Sequence, residues 1–277
     1  MNLTKYRPLL VLGPGSSSLA AASKGFDVRW GFRWEELSAA LRGAPPSTLV
    51  VVEAYAGERP GDVFPRIREL LRRFPSVPVV AVLPFRPDTV ADVAVLLEWG
   101  VSEVVALGAD ATPRAVRARL RHAHARPFKR RLETALSRYV SGEGRVLLMA
   151  AAEVAVEGGG ARELARRLRV SPPTVTERCL RADLPPPRQV QAWLRILLAC
   201  SLLDDPGRTA ASVAYACGYS TDRSLRRAIR SFLDTDTTAL RSAGAFEAAS
   251  RAFNEVLRTL RETGRERQKR RRGAGPP

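Results

Sequence analysis

The fold of the C-terminal half is decided by Ala161–Arg181, ARELARRLRVSPPTVTERCLR, and Thr209–Leu233, TAASVAYACGYSTDRSLRRAIRSFL, joined through Val190–Asp204, VQAWLRILLACSLLD. In the first stretch Leu164, Leu168 and Val170 form the apolar face of a leading helix. Ser171 is an N-cap, and Pro172 takes the first helical position, where a missing N–H costs nothing. Val175, Cys179 and Leu180 then continue the apolar face on a second helix. The later stretch repeats this corner. Val213, Ala214 and Cys217 point inward, Gly218 supplies the positive φ that ends a helix, Ser220 or Thr221 caps the next, and Leu225, Ile229 and Phe232 anchor it. Between the two corners, Trp193, Leu197, Cys200 and Leu203 share one face with Leu194, Leu198 and Leu202 beside it. So broad a stripe predicts a helix buried between two neighbours.

Working outward, the run Arg195-Ile196-x-x-Ala199-x-x-Leu202-Leu203 is followed by Val213-Ala214-x-x-Cys217-Gly218-Tyr219-Ser220-x-x-Ser224-Leu225-x-Arg227-x-Ile229-Arg230. Together with Ser171-Pro172 at the first corner, these residues resemble the C-terminal DNA-binding domain of AraC-type transcription regulators over roughly residues 145 to 241. The resemblance implies double-stranded DNA as partner, with the second helix of each corner in a major groove about 12 Å wide and the two grooves roughly 34 Å apart. In the first of these helices Pro173, Thr174, Thr176, Glu177, Arg178 and Arg181 are the outward candidates. Pro173, Thr176 and Glu177 match positions that contact bases in the family, and Glu177 departs from the pattern because an acid repels phosphate unless it accepts from a cytosine amine. In the second helix Asp222, Arg223, Arg226 and Arg227 match the family's contact face, and Arg230 is assigned to phosphate. Asp222 alternatively supports the helix N-terminus, and Arg227 is read equally as a contact or as a partner of the domain core.

Charge points the same way without any family. Of the 277 residues, 45 are Lys or Arg and 28 Asp or Glu, a net +17; residues 1–110 hold 12 of each sign, so the excess lies entirely downstream. A neutral half joined to a polycationic half is the footprint of a nucleic-acid-binding module attached to something else. Nearly all of the basic residues are arginine. That suits phosphate and guanine edges, although a GC-rich genome enriches arginine too.

Residues 7–110 alternate short apolar runs with helical periods. Leu9–Leu12, Phe26–Trp30, Leu49–Val52, Val79–Leu83 and Glu103–Leu107 read as buried parallel strands, and Trp34–Arg42, Asp62–Phe74 and Thr89–Trp99 as helices, with a weak helix in SSSLAAASK. The expectation is an α/β doubly wound parallel sheet followed by an all-α double helix-turn-helix. The order of elements, Pro78-Val79-Val80 and Trp99-Gly100-Val101-Ser102-Glu103 are similar to a response-regulator receiver domain. A receiver's acidic pair, phosphoacceptor Asp, Thr or Ser, and Lys fall here near Gly13-Pro14, Glu53, Leu83 and Leu107. The resemblance therefore implies a degenerate receiver with no Mg²⁺ and no phosphoryl transfer, in which Glu53 is a solvated loop carboxylate or a fixed negative charge. The turn Gly13–Ser18 lacks a P-loop lysine and GxGxxG spacing, so it reads as an ordinary turn rather than a phosphate cradle.

The expected division is a receiver-like domain over 1–126, a helical linker over 127–143 with Pro127 breaking the run, a DNA-binding domain over 144–243, and a further helix with a basic tail over 244–277. In that last part Phe246, Phe253, Val256 and Leu260 mark the helix, while RETGRERQKRRRGAGPP reads as disordered with nonspecific phosphate contacts. His122 and His124 read as solvated helix-end side chains. The three cysteines, on apolar faces and without CxxC spacing, read as buried hydrophobes in a reducing cytoplasm. No cofactor, metal, membrane span or catalytic set is expected. Besides DNA, RNA polymerase and a second copy of the chain are candidate partners. Two other functions compete: a nonspecific DNA-coating protein, and a nucleotide-binding or phosphotransfer enzyme using the N-terminal sheet.

Overall fold

A computed structural model describes residues 7–55, 60–84, 86–108 and 112–273; beyond Glu266 only the backbone is described. The extreme N-terminus, including Lys5, and residues 274–277 of the basic tail lie outside the described residues. The chain forms two units, one comprising residues 1–127 with 204–212, the other 128–203 with 213–277.

The N-terminal unit is built on five parallel strands, β1 (Arg7–Leu12), β2 (Phe26–Phe32), β3 (Leu49–Glu53), β4 (Val79–Pro84) and β5 (Glu103–Leu107), in the order β2-β1-β3-β4-β5. Helices cover both faces. On one side Leu37 and Leu41 of α2 (Trp34–Gly43), Ile67 and Leu70 of α3 (Pro60–Arg73) and Leu96 of α4 (Val90–Trp99) pack on Leu10, Val50 and Ala81. On the other, Leu19 of α1 (Ser17–Ala22) and Val116 and Leu120 of α5 (Pro113–Ala123) pack on Leu9, Val51 and Val80. Strands buried on two faces have no polar alternation to show, which is why β3 reads as unbroken LVVV. β2 departs from the expectation of a buried strand. It is an edge strand with no fully buried residue: Phe26, Val28 and Phe32 are partly buried, Asp27 and Arg29 to Gly31 are exposed, and Trp30 is 40 % exposed.

The segment Asp204–Ser212 completes this unit. The Asp205 carboxylate accepts from the Ser76 backbone N–H at 3.1 Å and from the Ser76 hydroxyl, Arg208 donates to the Ala44 carbonyl, and Asp205 and Arg208 lie 3.8 Å apart with side chains essentially sealed from solvent. Gly207, at φ +81°, approaches so closely that a Cβ there would come within 3.0 Å of the Arg42 Cα.

His124 also departs from expectation. His122 is exposed, but the His124 Nδ1 is buried at the end of α5. Burial, and then the charge of Arg7, hold its pKa down at about 3 against 6.5 for a free imidazole. The unfolded chain therefore takes up a proton below about 6.5 that the folded chain refuses until about 3. Stability from this group is complete above 6.5 and declines as pH falls through that interval. Urea titrations at pH 7.5 and 5.5 are expected to show the wild-type protein losing stability between these values, and His124→Phe losing less. Equal losses would count against the assignment.

Among the described residues the elements of the C-terminal unit are all helices: α6 (Arg126–Ala135, of which Phe128 onward belongs here), α7 (Gly142–Val156), α8 (Ala161–Leu168), α9 (Pro172–Arg181), α10 (Pro187–Leu203), α11 (Ala210–Ala216, of which Val213 onward belongs here), α12 (Asp222–Leu233), α13 (Thr237–Ala243) and α14 (Ala245–Gly273). Pro127 sits in the first turn of α6, where its ring is tolerated, so the helical run is interrupted just ahead of it. α10 is the axle. Trp193, Leu194, Leu197, Leu198, Cys200, Leu202 and Leu203 are all buried, as the broad stripe predicts. Trp193 meets Phe232 of α12 edge-on at 4.8 Å and leans on Phe253 of α14 at 5.3 Å. Arg131 of α6 donates to Ser201 Oγ at 2.9 Å and lies 4.2 Å over the Phe246 ring, tying α6, α10 and α14 together. Asn254 of α14 donates to the Ala135 carbonyl at 2.8 Å and accepts from the Ser137 N–H at 2.9 Å, which closes the C-terminal end of α6.

The tail corrects another expectation. Over its described part, to Gly273, the tail is helical and continues α14. Arg, Gln, Glu and Lys are good helix formers, and adding turns to an anchored helix avoids the cost of nucleation.

Candidate nucleic-acid interface

Each helix-turn-helix corner is fixed by a cap and a core. α8 ends at Arg169 with φ 53°, and Ser171 opens α9 by accepting from the Thr174 N–H at 3.3 Å. Val175 and Cys179 then hold α9 to the core. In the second corner Gly218 turns the chain at φ +75°. Thr221 and Ser224 cap each other reciprocally, at 3.1 and 3.2 Å, while Leu225 and Ile229 are fully buried. Arg195 of α10 lies 6.0 Å over the Tyr219 ring, linking the axle to this turn.

At about 100° per residue, a helix held by Leu225 and Ile229 turns Arg223, Arg226, Arg227 and Arg230 onto one opposite stripe, and all four are exposed. Asp222 pairs with Arg226 at 3.4 Å. An exposed pair of this kind contributes under about 1 kcal/mol, so Arg226 can exchange it for a nucleic-acid oxygen at little cost. Arg227 is exposed rather than packed into the core.

α9 is built differently. Pro173, Thr176, Glu177 and Arg181 are exposed, whereas Thr174 and Arg178 are half-buried and Thr174 shares a hydroxyl contact with Ser171 at 2.8 Å. Arg181 pairs with Glu143 at 3.2 Å, and Arg167 of α8 is held by Glu153 and Glu157. Burial raises the Glu153 carboxyl, but Lys129 and Arg167 together outweigh it and hold the pKa below the usual range. Arg166, Arg167 and Arg181 around α8 and α9 are thus engaged by carboxylates, whereas on α12, among the described residues, Arg226 alone of the stripe is ion-paired and the stripe is displayed.

Leu180 corrects the expected apolar face: it is 68 % exposed. On a helix pinned by Val175 and Cys179 it falls about 140° from Val175, between Thr176 and Pro173, and a helical projection finds it. An exposed leucine there suits a thymine methyl.

The cysteines carry no chemistry here. All three are buried and unbridged. Burial pushes the Cys179 thiol up to about 11 and, with the nearby Cys200, raises Cys217 further, so both stay protonated. Among the described residues no three His, Cys, Asp or Glu side chains form a metal-binding group, and no helix is long and apolar enough to cross a membrane.

Glu53, the candidate degenerate phosphoacceptor, is neither solvated nor idle. Its two oxygens accept from the Gly15 and Ser16 N–H groups at 2.7 and 2.8 Å. Gly13 and Gly15 lie at φ +120° and +78°, and a Cβ on Gly13 would come within 2.7 Å of the carboxylate. The glycine turn is thus wrapped around an internal anion. Glu53→Ala is expected to destabilise the N-terminal unit by about 2 kcal/mol, since two charge-assisted bonds to backbone donors are lost. Unchanged denaturation would show the bonds to be dispensable.

Residues 164–243 match a family model described as a helix-turn-helix domain, from Leu164 within α8 through α13, and this supports an AraC-type DNA-binding domain in the C-terminal half. No curated protein and no solved structure gives a significant match.

Proposed function

We propose that this DNA-binding transcription regulator is sequence-specific and places α9 and α12 in two successive major grooves on one side of the duplex. The observation that carries the reading is the exposed stripe Arg223, Arg226, Arg227 and Arg230 on the second helix of a matched helix-turn-helix domain. Guanidinium forks match guanine edges bidentately and phosphates equally well, so the stripe provides both base readout and backbone grip. Pro173, Thr174, Thr176, Glu177, Arg178 and Arg181 on α9, with Asp222 on α12, complete the proposed contact set. Glu177 selects cytosine or weakens its own half-site.

The N-terminal unit, taken as residues 1–126, is a receiver-like sensory or dimerising domain without phosphorylation chemistry. The strand order 2-1-3-4-5 supports the likeness. The engagement of both Glu53 oxygens by the Gly13–Ser16 turn supports the loss of chemistry. Residues 127–143 link this domain to the DNA-binding domain over 144–243; RNA polymerase and a second copy of the chain are the proposed protein partners.

Arg223→Ala and Arg226→Ala are each expected to lower affinity for a preferred site by about 1–3 kcal/mol while leaving random DNA less affected. Competition binding with selected and scrambled duplexes measures this. An equal loss on every sequence would reduce both residues to phosphate contacts and favour the alternative of nonspecific DNA coating, which the basic end of α14 and Glu177 also suit.

A further inference from the structure

We infer that the distal end of α14 is a third DNA-contacting element, gripping backbone phosphates on the flank beyond the groove read by α9. This rests on the DNA-binding reading above and adds a partner surface outside the matched domain.

α14 does two jobs in sequence. Its first turns bury Phe246, Ala249, Phe253 and Leu257 in the C-terminal core. The packing and polar contacts of α14 with the rest of the unit reach as far as Arg265, yet the helix runs on to Gly273. From Arg265 it carries Arg265, Arg267, Lys269, Arg270, Arg271 and Arg272 against the single acid Glu266. Arg258, by contrast, is held between Glu255 and Glu262 and belongs to the helix surface.

The start of this basic segment is fixed beside α9. Asp183 follows the end of α9 by two residues, and a Cβ on Gly264 would collide with its Oδ1, so the α14 backbone lies directly against that turn. Arg261 donates to the Tyr139 carbonyl at 3.1 Å and lies 5.2 Å over the Tyr139 ring. Arg261 and Arg265 both act on the Asp183 carboxylate, whose pKa burial nonetheless raises. The anchor leaves one direction of growth: nine further residues at about 1.5 Å each carry the helix some 14 Å past Gly264. That is under half of one duplex turn of roughly 34 Å, a reach suited to neighbouring phosphates and not to a second groove. The segment has no large aliphatic and no aromatic side chain after Leu260, so it lacks the anchor that a membrane surface requires.

The test compares the full chain with a chain ending at Glu266, and with a full-length variant in which Arg267, Lys269, Arg270, Arg271 and Arg272 are glutamine, which keeps helix length if truncation frays it. Affinity is measured on a selected duplex with long flanks and on duplexes trimmed at one end or the other. Both variants are expected to bind the long duplex about tenfold more weakly, with the slope of log affinity against log salt shallower by about 2, since each phosphate contact contributes about 0.9. Trimming one flank, and only that one, should erase the difference, while the ratio of selected to scrambled affinity stays constant. Equal slopes and affinities for all three chains, losses indifferent to which flank is trimmed, or restoration by anionic vesicles in place of DNA would overturn the inference. A full chain that shows no preference for any sequence would overturn the reading beneath it instead.

Discussion

Trp193→Ala is expected to destabilise the C-terminal unit by about 3–5 kcal/mol, the range for emptying a well-packed aromatic site. Trp193 is only 4 % exposed and joins three helices: it lies on α10, its ring stands perpendicular to that of Phe232 of α12, and it lies tilted against Phe253 of α14. Losing the indole removes burial and two aromatic contacts at once. The consequence extends to function because Phe232 follows Arg230 by two residues on the helix that displays the arginine stripe. Urea denaturation should show the lost stability, and binding to a preferred duplex should fall more than it does for any single arginine substitution. Trp193→Phe should recover most of both. A Trp193→Ala protein with wild-type stability would mean that α10 does not organise this unit.

Asp205→Ala should cost the N-terminal unit a comparable 3–5 kcal/mol, because it strands a buried charge. Burial lowers the Arg208 pKa and Asp205 opposes that shift. The Asp205 carboxylate also receives the Ser76 N–H and hydroxyl, so its removal leaves those donors unmatched as well. Buried pairs can be replaced together more cheaply than they can be broken, so Asp205→Ala combined with Arg208→Met should be more stable than Asp205→Ala alone. A double-mutant cycle read by thermal melting checks this. Additive losses would show that the two side chains do not depend on each other.

How much of this was legible in the sequence follows from which physical signals leave a pattern. β3 and β4 are legible because inner strands buried on both faces carry almost only apolar, largely β-branched residues. β2 carries FDVRW, whose polar members signal an edge position that strand propensity alone does not resolve. The α12 stripe is legible because its core residues, Leu225 and Ile229, fix the rotation of the helix and leave the arginines on the opposite side. On α9 the same rotation set by Val175 and Cys179 exposes Leu180, and hydrophobicity read without the projection assigns it to the wrong face. Asp205 and Arg208 could not be found this way. Their segment, DDPGRT, has the composition of a surface turn, and a buried ion pair leaves no periodic trace. Glu53 was legible as a position but not as an interaction, since the glycine turn that binds it lies 37 residues earlier.

Two reading helices of one chain are proposed to engage one side of a duplex. Hydroxyl-radical footprinting on a site selected from random DNA tests it most directly. Two protected patches about one helical turn apart on the same face are expected, with protection at only one of them weakened by Arg223→Ala. A single patch, protection around the whole duplex, or no preferred site at all would contradict it.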